Sequence, residues 1–145
     1  MLPLAVVVLL GVLGGVAVGL QSPIAGAMSQ KVGGVASSFI VHVGGAIISG
    51  ILLVVRRGEQ LGQWRDLSWY MLGAGVFGVV LYLTLSQTFP RLGATAALTL
   101  IIVGQLLTGI VIDQFGLFGG GVRPIDVSRA LGALVLLGGA HLLLL

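Results

Sequence analysis

The chain has 145 residues, of which 57% are apolar and only 8% charged, with a mean hydropathy of +1.19. A soluble domain carries about 25% charged residues, so this composition excludes an ordinary water-soluble fold and reads as an integral membrane protein. The net charge of +3 rests on seven basic and four acidic residues. In a membrane protein that excess belongs to loops facing anionic lipid and is not a nucleic-acid signature. With no cysteine, disulfides, thiolate nucleophiles and Cys-ligated metals are excluded.

The first apolar run occupies residues 2–20. It lacks a basic leader and runs into Gln21-Ser22-Pro23 without a convincing cleavage site, so a retained helix is expected and not a signal peptide. Gly11, Gly15 and Gly19 recur every fourth residue and line one stripe, a seam on which another backbone can approach closely. The next stop is Gly33-Gly34, just beyond Lys31. One helix is therefore predicted over about 2–32, kinked at Pro23. At ~1.5 Å per residue it is roughly 45 Å long, more than a bilayer needs. Pro23 frees the carbonyl of Gly19, one turn from Gln21 and Ser22, and such polar points are where transporters hold substrate.

Helix 2 is predicted over about 35–55. Ser38, His42, Gly45 and Ser49 share one of its faces, and His42 lies near the midplane. An ionisable side chain at that depth suggests function; the alternative is a neutral ring bonded to a neighbouring helix. The hydrophilic loop of residues 56–68 is solvated, and Trp64, Trp69 and Tyr70 mark a membrane boundary. Helix 3 follows over about 69–88, with Phe89-Pro90-Arg91-Leu92 as a short turn.

Helix 4 spans about 93–113. No charge occurs between Gly93 and Ile112, about twenty residues and enough to cross ~30 Å of hydrocarbon. Gln105 sits just past the middle, where hydrocarbon offers its amide no partner. Thr108 and Gly109 share its face. The amide is either interhelical glue or part of a pathway. Asp113 closes the span, ~80° around the helix from Gln105. Its carboxylate opposes the helix dipole and calls for Arg123 or a neighbouring helix N-terminus, unless it serves ion coupling. A glycine-rich turn leads to Asp126, the expected N-cap of helix 5 over about 127–145. His141, near that helix's end, is expected to snorkel.

An odd number of helices puts the termini on opposite sides. Arg56, Arg57, Arg65, Arg123 and Arg129 fall on one side, against Lys31 and Arg91 on the other. The bias favours a cytoplasmic N-terminus by a small margin, a setting for dual topology. Five short helices enclose little volume, so an oligomer is expected.

Leu92–Ala97 (LGATAA), Gly104-Gln105, Ile112–Gly119 (IDQFGLFG) and Arg129 with Gly132 resemble the YdcZ-type family, a half-length branch of the drug/metabolite transporter superfamily. Gln21-Ser22-Pro23, Gly33-Gly34 and Ser38–Gly45 fit the first half of the same pattern. Where related sequences carry an Asn after the helix-1 Gln, this chain reads Ala25-Gly26-Ala27. The resemblance implies a five-helix transporter working as an antiparallel pair.

No Ser-His-Asp order, HExxH pair, phosphate loop or Cys/His cluster is present, so neither an enzyme nor a metal or cofactor site is expected. The expectation is one all-α transmembrane domain over 1–145 in the bacterial inner membrane. It is read as a small secondary transporter, an exporter of a small polar or amphipathic metabolite, with alternating access at the interface of an antiparallel homodimer or a heterodimer with an inverted paralogue. Gln21, Ser22, His42, Gln105 and Thr108 are the candidate substrate groups, His42 and Asp113 the candidates for ion coupling. Gly11, Gly15, Gly19, Gly45 and Gly109 are the expected packing positions. With no carboxylate in mid-span, a neutral or zwitterionic substrate fits better than an organic cation. A passive channel and a non-transporting accessory subunit are the alternatives.

Overall fold

The computed structural model describes residues 2–119 and 121–145. Among these residues every regular element is helical. Helix α1 is Leu4–Val32 and α2 is Gly34–Val55. A 3-10 turn, Leu61–Asp66, and a single helical turn, Trp69–Leu72, precede a long run, Gly75–Phe115. That run is broken at Gly93, whose backbone is non-helical (φ 76°, ψ 176°). The parts before and after it are called α3 (75–92) and α4 (94–115). Helix α5 is Val127–Leu144. Among the described residues four stretches are long and apolar enough to cross a membrane, one of them Trp69–Phe115 with 47 residues. At ~1.5 Å per residue it would reach roughly 70 Å unbroken, over twice a bilayer core. The break at Gly93 divides it into two helices of crossing length.

Two of these boundaries differ from expectation. Phe89-Pro90-Arg91-Leu92 is not a turn: α3 continues through Pro90. Proline removes one hydrogen bond but does not force a stop. Gly93 does, because its positive φ is one that other residues adopt with strain. Helix 3 also does not run unbroken from Trp69, since Gly73 and Ala74 separate the first turn from α3.

The chain divides into two compact units, one ending at Arg91 and the other running from Leu92 to Leu145. In the first, α1 and α2 form a hairpin that turns on Gly33 alone (φ 86°, ψ 155°). Its N–H donates to the Ser29 carbonyl at 2.9 Å, and its own carbonyl accepts from Ser37 N at 3.0 Å. Ser22, Ala25, Gly26 and Ser29 make one buried stripe of α1 at helical spacing, and Ser37 and Ser38 are buried on α2. Tyr82, Leu85 and Ser86 are the buried positions of α3. A core of such small residues suits helices that associate by close packing, since lipid gives them no hydrophobic reason to do so.

The glycines that pack within the chain are not the expected ones. A Cβ at Gly11, Gly15, Gly19, Gly45 or Gly109 would meet nothing within 4 Å. The close approaches fall at Gly26, where a Cβ would stand 3.1 Å from the Phe89 ring, at Gly34 (2.8 Å from Ser86 Oγ) and at Gly78 (2.9 Å from His42 Nε2). Regular spacing marks a stripe, but whether a helix covers it depends on the rest of the fold.

In the second unit α4 and α5 are joined through Leu117–Gly119 and residues 121–126. The expected glycine-rich turn lies here, with Gly120 outside the described residues. Asp126 caps α5 as its position predicts: Oδ1 accepts from Arg129 N at 2.8 Å.

Gly33→Ala tests the hairpin turn. A side chain in that backbone region costs about 1–3 kcal/mol. The variant is expected to melt at a lower temperature in detergent, read by fluorescence-detected size exclusion, and an unchanged profile would show that the turn tolerates a Cβ.

Candidate functional site

In the first unit, Gln21 is exposed and makes no side-chain hydrogen bond among the described residues. Ser22 is buried, and its hydroxyl donates back to the Val18 carbonyl at 2.7 Å. His42 Nδ1 lies 2.7 Å from the Ser38 carbonyl oxygen. A carbonyl only accepts, so Nδ1 carries the hydrogen and Nε2 holds the lone pair of the neutral ring. Nε2 faces the backbone of Gly78 on α3. The Tyr82 ring stands edge-on to the imidazole with centroids 6.1 Å apart, and the buried Tyr82 hydroxyl has no partner among the described residues. Tyr82 was not a candidate from sequence. The signal for it was its place one turn after Gly78, the glycine that admits the imidazole.

The second unit holds a cleft of about 740 Å³ between α4 and α5. The α4 wall is Ile102, Gln105, Leu106, Gly109, Ile110 and Asp113, spaced 3, 4, 7, 8 and 11 residues from the first. That spacing is one helical face more than 100° wide. Gln105 and Asp113 therefore share a wall despite ~80° between them, so their angular separation does not divide their roles. Thr108 lies outside this lining, its hydroxyl turned back to the Gly104 carbonyl at 2.9 Å. Across the cleft stand Arg129, Gly132, Ala133 and Leu136 of α5, with Arg123 and Ile125 from the preceding segment.

The charges collect at one end. Asp113 Oδ2 pairs with Arg129 Nη1 at 3.4 Å, with both side chains about half exposed. Arg129, and not Arg123, is thus the cation that offsets the carboxylate at the end of α4. Arg123 contributes through its main chain: its N–H donates to the Asp113 carbonyl at 2.8 Å, and its carbonyl accepts from Arg129 Nη1 at 3.2 Å. Gln114 Oε1 accepts from Ile125 N at 2.8 Å and holds the same segment. The Arg129 pairing was hidden because residues 113 and 129 meet only once the Asp126 cap sets where α5 begins. The Arg129 backbone N–H bonded to Asp126 holds that carboxyl below its usual range, with help from the Ser128 hydroxyl. Among the described residues no group of three His, Asp or Glu side chains is placed to hold a metal ion.

Helices this long and apolar define an integral membrane protein, and the α4–α5 cleft between two of them is of small-molecule size. A family profile described as "Putative inner membrane exporter, YdcZ" matches residues 6–142. The chain belongs to this family of inner-membrane exporters in the drug/metabolite transporter superfamily. Comparisons with curated proteins and with solved structures give no match.

A prediction follows for the start of α5. Because the Asp126 carboxyl titrates below its unfolded value, the cap's contribution is complete above the ordinary carboxylate range and is lost as pH falls through the lowered value. Asp126→Ala should speed hydrogen exchange of the amides of residues 127–130 at neutral pH. The difference from the parent should close on acidification; equal exchange at neutral pH would deny the cap any role.

Proposed function

We propose that the chain exports a small polar or amphipathic metabolite, and that the α4–α5 cleft is where the substrate is held. The observation that carries this reading is the cleft's lining: an apolar wall interrupted by the Gln105 amide and ended by the Asp113–Arg129 pair. Binding sites for small molecules have this character, mostly apolar with a few placed polar groups. The Gln105 amide has no hydrogen bond among the described residues, which leaves both its donor and its acceptor for a substrate.

The transporting unit is proposed to be an antiparallel pair with alternating access. The open stripe of Gly11 and Gly15 supports it, together with the exposed apolar side chains of Val8, Val12 and Val16 on the same helix. His42 and Asp113 are the groups proposed to couple an ion. Nδ1 of His42 is committed to the Ser38 carbonyl, which leaves Nε2 as the ring nitrogen without a backbone partner.

Gln105→Leu should abolish solute flux in liposomes by at least about tenfold while the purified protein keeps its elution volume. Such a loss corresponds to about 1.4 kcal/mol or more at the site. Flux at the parental rate would demote Gln105 to packing, and unitary current steps would replace the carrier with a channel. For the assembly, single-cysteine variants placed at opposite ends of α1 should crosslink head to tail in native membranes. Exclusively parallel pairs would sink the inverted arrangement, and Gly11→Leu with Gly15→Leu should weaken the pair if the stripe is its seam.

A further inference from the structure

We infer that the α4–α5 cleft selects an anionic amphiphile: an anionic head held by Arg123 and Arg129, and an apolar tail lying along the helix pair. This rests on reading the cleft as the substrate site and names the class of molecule that it takes.

Three observations carry it. First, the charged groups that line the cleft are two arginines and one aspartate. Asp113 is matched by Arg129, whose Nη1 is also spent on the Arg123 carbonyl. Arg123 lines the cleft and its guanidinium has no hydrogen bond or ion pair among the described residues, so one positive charge is left over. Asp126 does not line the cleft, and its Oδ1 is taken up by Arg129 N and Ser128 Oγ. Guanidinium forms forked, charge-assisted hydrogen bonds with carboxylate, phosphate or sulfonate oxygens, and the excess charge disfavours a cation.

Second, the cleft does not end at Gln105. A further hollow of about 490 Å³ shares Ile102 and Leu136 with it and continues between the same two helices, lined by Thr99, Gly139, Ala140 and Leu143 among others. From Asp113 to Thr99 the two hollows follow α4 for roughly 21 Å at ~1.5 Å per residue. Third, this extension has no charged lining residue and only one hydroxyl, Thr99. One end offers unspent positive charge, the middle an amide, and the far end only hydrocarbon. The matching molecule is charged at one end and apolar along its length.

Octanesulfonate, octanamide and octyltrimethylammonium share a tail and differ in head charge, so they separate these contributions. They are titrated calorimetrically into protein in phosphatidylcholine nanodiscs, with empty nanodiscs subtracted. Octanesulfonate should bind at least about tenfold more tightly than octanamide, with octyltrimethylammonium weakest. Butanesulfonate should bind more weakly than octanesulfonate. Arg123→Gln should erase the preference for sulfonate over amide, and Arg123→Lys should keep part of it. Because the Arg123 side chain has no hydrogen bond or ion pair among the described residues, neither variant should disturb folding. Equal binding of the three heads, or a preference unchanged in Arg123→Gln, overturns the inference.

An anionic head with an apolar tail describes both a free acid and an acidic phospholipid. Phosphatidylglycerol nanodiscs separate them: if octanesulfonate no longer binds there, lipid is the occupant, and if it binds as before, a free acid is. Flux into phosphatidylcholine liposomes separates this inference from the exporter reading. Octanesulfonate that binds through Arg123 without crossing refutes transport and leaves the anion site. Octyltrimethylammonium that crosses while octanesulfonate neither binds nor crosses does the reverse.

Discussion

Hydrocarbon gives a hydrogen-bonding group nothing to bond, and almost every polar feature of this chain is shaped by that shortage. The buried serines meet it in the least expensive way, turning their hydroxyls back onto their own helices: Ser22 to Val18, Ser29 to Gly26, Ser86 to Leu83. Only Ser37 reaches across, to the Ala25 carbonyl of α1 at 3.4 Å. Hydroxyls satisfied in this way are small enough to sit in a close-packed core, so the α1–α2 hairpin can be both polar in composition and tight. The same rule explains the segment between α4 and α5, where the Asp113 carbonyl and the Gln114 amide, groups at an unwinding helix end, are taken up by the main chain of Arg123 and Ile125.

Against that background, several polar side chains have no internal partner among the described residues, the exposed Gln21 included. The Gln105 amide, the Arg123 guanidinium and the Tyr82 hydroxyl are the main examples. Two of the three belong to residues that line the α4–α5 cleft. The third is buried beside His42. Polar atoms left unmatched in a membrane protein carry a cost, of about 1–3 kcal/mol for a buried one, that folding alone does not recover. The proposal that substrate is held in the α4–α5 cleft draws on two of these groups, and membership of an exporter family supports it.

Local signals were the legible ones. The hairpin at Gly33, the cap at Asp126 and the length of each apolar run depend on a few neighbouring residues, and each is written in the sequence. What depended on distant residues was not. Pro90 reads as a breaker in isolation, yet α3 passes through it and stops at Gly93, because the deciding quantity is a backbone angle and not a residue preference. The every-fourth glycines of α1 announce a seam that nothing among the described residues fills, while Gly26, Gly34 and Gly78, without a regular pattern, take the close contacts. At the site, Gln105 was found by its isolation in an apolar span. Arg129 was missed as the partner of Asp113, since nothing in a sequence brings residues sixteen apart face to face across a cleft.

The bond between His42 and the Ser38 carbonyl has a consequence for direction. With Nδ1 held at 2.7 Å by its own helix, the imidazole has one addressable nitrogen, Nε2. That atom looks toward α3 at Gly78, where α3 presents a glycine in place of a side chain. The fit of the ring against α3 thus depends on the absence of a side chain at Gly78. A methyl group there would stand 2.9 Å from Nε2, so the ring or the helix would have to give way.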